Sequence, residues 1–362
     1  MKPTMRVCLI ALPLLFCCAA LLVIPDVTTQ AAREGLRLCA RVLVPSLFPF
    51  FVCAKLIVSL RASEPLERLL APVMQRLFGT GASGSEAFVL GLIGGYPTGA
   101  QVTKNLYDAH RITKDEARQL VLFCNNAGPA FIFGVVGNGL FSSLKLGILL
   151  YGMQALSAVL TGILLRKPVQ SQQAPAGKTE DTSAPPFAQA FVESVRQSGA
   201  AVLNVCMFVT IFSVLSGILQ TLTKGLLPDF VFALLCGALE LTGGVAALGT
   251  CALPVSLKLA SASFLLAFSG LSICAQTAAV LSEDRLFPRG YLFARLLQGL
   301  IAAALTMALA ALLRVDTSAV QASAQPVSHM MPVLFSLIWL SCGIICLICR
   351  KVSYGKYAHH RV

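Results

Sequence analysis

Between residues 83 and 138 the chain twice sets helix-breaking, polar sequence inside apolar surroundings: Gly94-Gly95-Tyr96-Pro97-Thr98-Gly99-Ala100, and then Phe123-Cys124-Asn125-Asn126-Ala127-Gly128-Pro129. Proline cannot donate a helix hydrogen bond, and glycine favours unwound backbone. In hydrocarbon such breaks survive only where they are buried in protein or line a watery space. Interrupted helices near mid-membrane are also how many transporters build solute sites. The surroundings are membrane-like: 56% of the 362 residues are hydrophobic and only 12% are charged, against about 25% in soluble domains. No series of short alternating strands suggests a β-barrel. The expected fold is an all-α, polytopic integral membrane protein with about eight spans plus broken or re-entrant helices, arranged as two repeated halves. The net charge of +12 does not imply nucleic acid, because the basic residues cluster at the ends of apolar runs, as in cytoplasmic loops.

Read in order, residues 7–24 form a first, uncleaved span with its N-terminus in the cytoplasm. Residues 31–60 form a second, kinked at Pro45 and Pro49. Arg33, Arg37 and Arg41 lie on one face of it, either snorkelling to the interface or facing a cavity. Residues 64–78 are amphipathic and suit the membrane surface. Ser83-Gly84-Ser85-Glu86 and Thr113-Lys114-Asp115-Glu116 each match a capping box, which gives Glu86 a structural job. Residues 144–165 are a full span. Residues 168–186, rich in Gln, Ala, Pro and Ser, read as a flexible cytoplasmic linker. Beyond it, residues 187–196 are amphipathic and 200–222 span. Further breaks are expected at Glu240-Leu241-Thr242-Gly243-Gly244 and at Ser269-Gly270. Residues 291–313 span, 332–348 form the last span, and the tail is basic and cytoplasmic.

The halves resemble each other at a nearly fixed offset. Gly91 corresponds to Gly237, Leu122-Phe123 to Ala267-Phe268, and Tyr151-Gly152-Met153-Gln154 to Arg295-Leu296-Leu297-Gln298. Weak duplication around broken helices places a site at the repeat interface.

Three stretches resemble the sporulation integral membrane protein YlbJ family, also called SpoVV: Gly95-Tyr96-Pro97-Thr98-Gly99-Ala100, Ile112-Thr113-Lys114-Asp115-Glu116-Ala117 and Phe123-Cys124-Asn125-Asn126-Ala127-Gly128-Pro129. Gly237-Ala238-Leu239-Glu240-Leu241-Thr242 fits its second half. The resemblance covers roughly residues 35–310. It implies nucleoside-recognition Gate domains, similar to parts of concentrative nucleoside transporters, and a role in moving dipicolinate from mother cell to forespore. The expected organisation is a span over 1–30, a first Gate-like repeat over 31–167, the linker 168–186, a second repeat over 187–313, and loop, last span and tail over 314–362.

Glu240 is the sharpest single residue. A carboxylate in an apolar segment costs roughly 2.5–3.5 kcal/mol on insertion scales, so it faces a cavity or a partner; the candidate partners are Arg41 and Lys258. Asn125 and Asn126 supply amides at a break, where the half-helix beginning near Pro129 offers free N–H groups to a carboxylate; they equally serve as caps. Tyr96, Thr98, Thr242, Gln276 and Arg41 complete the candidate substrate site. The four histidines (His110, His329, His359 and His360) lie outside apolar spans, and no catalytic triad, metal set or P-loop is visible. The thirteen cysteines show no disulfide or zinc spacing, and Cys346 and Cys349 read as small apolar residues on one face of the last helix. The sequence thus points away from an enzyme and from any cofactor. It points to a lipid-embedded transporter of a small anionic solute, with nucleoside transport or a non-transporting scaffold as alternatives; homo-oligomerisation is left open.

Overall fold

The computed structural model describes residues 15–167 and 185–312, apart from residues 61, 63 and 224. Most of the linker, the last expected span and the basic tail lie outside the described residues. Those that are described form helices α1 (Leu15–Val23), α2 (Pro25–Leu38), α3 (Val44–Ser59), α4 (Glu64–Val73), α5 (Gly84–Gly94), α6 (Thr98–Asp108), α7 (Lys114–Cys124), α8 (Pro129–Phe131), α9 (Leu144–Leu164), α10 (Phe187–Thr223), α11 (Asp229–Leu239), α12 (Leu241–Thr250), α13 (Val255–Phe268), α14 (Gly270–Leu281) and α15 (Tyr291–Leu312). Wider π-helical turns continue α2 over Cys39–Leu43, α4 over Met74–Phe78 and α8 over Ile132–Leu140.

Five stretches among the described residues are long and apolar enough to cross a membrane: Lys114–Leu140, Leu144–Leu164, Phe187–Thr223, Val255–Leu281 and Tyr291–Leu312. The pair α1 and α2, bent by 101°, makes a sixth if taken as one span. The chain is an all-helical polytopic membrane protein. Pro25 opens α2 where its missing N–H is harmless, and the sharp bend sits there. Residues 187–196 and 200–222 are not separate elements but one 37-residue helix, α10. Gly199 interrupts a favourable helix at a cost of only about 1 kcal/mol, and α10 is supported along its length by α2 and α3.

The two expected capping boxes behave differently. Thr113 Oγ1 accepts from Glu116 N at 3.3 Å and Glu116 Oε2 accepts from Thr113 N at 2.8 Å. Ser83 has helical backbone angles and no side-chain cap; its hydroxyl donates to Glu67 Oε2 at 2.8 Å. Glu86, fully buried, pairs instead with Arg111 at 2.6 Å. A buried carboxylate gains more from a guanidinium than from the first turn of its own helix.

Two apolar cores flank the breaks. One stacks Phe78 on Phe123 with centroids 4.6 Å apart, with Phe88 tilted against both. The other gathers Ile132, Leu150, Leu248, Leu259 and Leu265 from α9, α12, α13 and the turns after α8. Helix α15 closes this side, packing along α13 and α9.

Candidate functional site

All four predicted breaks are present, and they meet in two crossings. In the first, the α5–α6 break packs on the α7–α8 break. Gly95 takes φ +80°, and a Cβ there would stand 2.9 Å from Gly128 N. A Cβ on Gly99 would overlap the Cys124 carbonyl. In the second, α11–α12 breaks at Glu240 and α13–α14 at Ser269, which has φ 73°. Gly270 lies under the Gly237 carbonyl, and Gly237 and Gly244 touch backbone to backbone. Only residues without a side chain allow such approaches. Tyr96 ties the crossings together: its hydroxyl, carried by the first break, donates to Leu266 O at 2.9 Å, just before the second.

The structure collects Tyr96, Thr98, Asn125 and Asn126 at the first crossing, all buried. The twin asparagines do not cap α8, whose N-cap is Gly128 with no side-chain bond. Asn126 Nδ2 donates back to Phe123 O at 2.8 Å, closing the end of α7. Asn125 Nδ2 donates to Thr277 Oγ1 at 2.8 Å and to Tyr291 Oη at 3.1 Å. The start of α8 is packed against Gly95, so the strongest positive charge at this crossing comes from elsewhere.

It comes from Arg295, which is fully buried. Its Nη1 donates to Asn125 O at 2.5 Å and its Nη2 to Leu122 O at 2.8 Å, with a further bond to Gln298 Oε1. Its guanidinium also lies 5.6 Å from the centroid of the Tyr291 ring. Arg295 thus binds carbonyls at the C-terminal end of α7, where the helix dipole favours a cation. Gln298 Nε2 donates to Asn126 Oδ1 at 2.8 Å, and Gln154 Nε2 reaches the same oxygen at 3.4 Å. Gln298 Nε2 is also 3.4 Å from Ser157 Oγ.

Arg295, Gln298, Gln154, Ser157, Thr277 and Tyr291 were absent from the predicted site. Two signals pointed to three of them. Arg295 is a charge inside the otherwise apolar run 291–313, and such charges are functional candidates by default. Gln154 and Gln298 end the paired segments 151–154 and 295–298; in three dimensions both reach Asn126.

Several atoms here have no hydrogen-bond partner among the described residues: Thr98 Oγ1, Asn125 Oδ1, Gln154 Oε1 and Arg295 Nε at or beside the first crossing, and Ser269 Oγ at the second. A buried polar group left unmatched costs about 1–3 kcal/mol.

Glu240 lies at the second crossing, 5% exposed. It is the N-cap of α12: its Oε2 accepts from Gly243 N at 2.7 Å. The sequence offered no cap for this carboxylate, because Glu is an uncommon N-cap. Its expected partners are elsewhere. Lys258 Nζ donates to Gly249 O at 3.1 Å, and Arg41 is exposed on the π-helical turns after α2. Thr242 is half-buried beside Glu240, and Gln276, on α14, donates to Ser272 Oγ at 3.2 Å. Among the described residues no group of three or more His, Cys, Asp or Glu is arranged to hold a metal ion.

The chain is 30% identical over 334 residues to the sporulation integral membrane protein YlbJ of Bacillus subtilis (strain 168), a match that spans 83% of this chain and 82% of that protein. No family model matches the chain. No solved structure matches it.

Proposed function

The chain belongs to the YlbJ family of sporulation integral membrane proteins, and we propose that it is a transporter that moves a small anionic solute, dipicolinate, out of the mother cell during spore formation. The observation that carries this reading is the pair of crossed helix breaks, where Thr98, Asn125 and Ser269, and Gln154 of α9 beside them, each bury an unmatched polar atom. Protein interiors match their polar groups, and broken helices are kept in membranes where they serve a solute. A scaffold needs neither. In this reading the protein lies in the mother-cell-derived outer forespore membrane and is not an enzyme. Tyr96, Thr98, Asn125 and Asn126 line the solute's position; Glu240 and Thr242 contribute from the second crossing, with Gln276 on α14 and Arg41 on its approach.

The amides of Asn126, Gln154 and Gln298 favour a second reading, since donor–acceptor amides also suit the edge of a nucleobase. Purified protein in lipid vesicles tests both. Flux of pyridine-2,6-dicarboxylate is the expected result. Flux of uridine or adenosine without the dicarboxylate promotes the nucleoside reading, and no flux of either leaves the scaffold.

A further inference from the structure

We propose that Arg295 is the charge-selecting residue of this site and binds a carboxylate of the solute through its Nε face. The proposal rests on the transport reading for its context but has its own evidence. Arg295 is fully buried, and among the described residues no carboxylate pairs with it. Nη1 and Nη2 are occupied by Asn125 O, Leu122 O and Gln298. Nε is buried with no partner. Carbonyl oxygens and a helix C-terminus offset part of the charge, but they leave a net cation in a water-poor place, where an anion is worth most.

The groups around that free face suit an anion with a polar flank. The Tyr96 hydroxyl lies near both Arg295 and Gln154, while its own hydrogen goes to Leu266 O. Gln154 sits midway along α9 with Oε1 unmatched, and Asn125 Oδ1 is likewise unmatched. A carboxylate on Nε satisfies the arginine. A donor or a bound water on the same solute satisfies the amide oxygens. Glu240, the carboxylate that would repel a dianion, is spent on the N-terminus of α12 at the other crossing.

The ligand class is therefore a compact carboxylate, and its neutral carboxamide is the discriminating competitor. The test uses full-length protein with two readouts, vesicle flux and ligand-induced thermal stabilisation in detergent. Pyridine-2,6-dicarboxylate is compared with pyridine-2,6-dicarboxamide in the wild type and in Arg295→Lys and Arg295→Gln. The wild type is expected to be stabilised by the dicarboxylate and not by the diamide. Arg295→Gln is expected to raise KM for the dicarboxylate roughly tenfold or more, the value of a lost charged hydrogen bond. Arg295→Lys, which keeps a donor for the α7 carbonyls, is expected to recover part of the loss. Flux with unchanged KM and unchanged preference in the variants overturns the role of Arg295 while transport stands. Arg295-dependent stabilisation without flux sustains Arg295 and removes transport. Should neither variant accumulate, equal stabilisation of the wild type by dicarboxylate and diamide overturns the proposal, and preference for the dianion sustains it.

Discussion

The two crossings share a backbone plan and differ in their charge. Each is a pair of broken helices brought together over glycines, Gly95 and Gly99 in the first, Gly237, Gly244 and Gly270 in the second. At the first, the charge is imported: Arg295 and the amides of Gln154 and Gln298 come from α15 and α9, helices that do not themselves break there. At the second, the charge is local, since Glu240 is held by the amide of Gly243 three residues on. The carboxylate there serves its own helix as the N-cap. A cation that reaches across the protein and keeps one donor free is placed for something else.

The largest expected effect breaks both crossings alike. Gly99→Ala and Gly244→Ala drive a methyl into backbone, so each should destabilise by about 3 kcal/mol or more, seen as loss of folded, detergent-soluble protein. Gly152→Ala, with open space around it, is the control and should be stabilising by up to about 1 kcal/mol. If Gly244→Ala is tolerated and Gly99→Ala is not, the crossings are not equivalent in packing.

Next, Asn126→Leu removes the acceptor shared by Gln154 and Gln298. Each orphaned amide costs about 1–3 kcal/mol, so the melting temperature should fall and flux should cease. A variant with wild-type melting would show that the network is not structural.

Glu240 separates cap from charge. Glu240→Ala loses the bond to Gly243 N and should cost about 1 kcal/mol. Glu240→Gln keeps an acceptor for that amide and should accumulate normally. Its flux then reports on the charge alone: wild-type flux reduces Glu240 to a cap, and lost flux in a stable protein places its charge in the transport cycle.

The smallest effect lies at the surface, where Lys104 pairs with Asp284 at 2.7 Å and Lys114 donates to Asp284 O at 2.7 Å. Asp284→Asn removes a partly exposed ion pair and should change stability by less than about 1 kcal/mol. A larger loss would make this contact, which joins α6 to the α14–α15 loop, a latch between the two crossings.

Membrane class, helical content and the four helix breaks of the two crossings were legible in the sequence, because each depends on composition or on a local Gly, Pro or Asn that a regular helix rejects. The capping box at Thr113 and Glu116 is local in the same sense, and it is present. The capping box at Ser83 was legible but false. Arg111, twenty-five residues further on, outcompeted the cap for Glu86, and sequence spacing carries no information about that approach. Among the site residues, Asn125, Asn126, Tyr96 and Thr98 stood out because they sit in the breaks. Gln154 and Gln298 did not, because each is a single neutral polar residue in an unbroken apolar helix, and the charge that marks Arg295 carries no local sign of the partner it reaches.

What the sequence determined by itself, then, is that the chain must be a bundle of membrane helices interrupted at four defined places. Tertiary structure alone decided which interruptions meet and which distant side chains fill the polar spaces between them. It joined Arg295 to Asn125 across 170 residues of chain and withheld Arg41 from that centre. The physical reason is that a break is an unmet demand of the local backbone, written in the residues that cause it. The partner that meets the demand is chosen by packing, which the local sequence does not record.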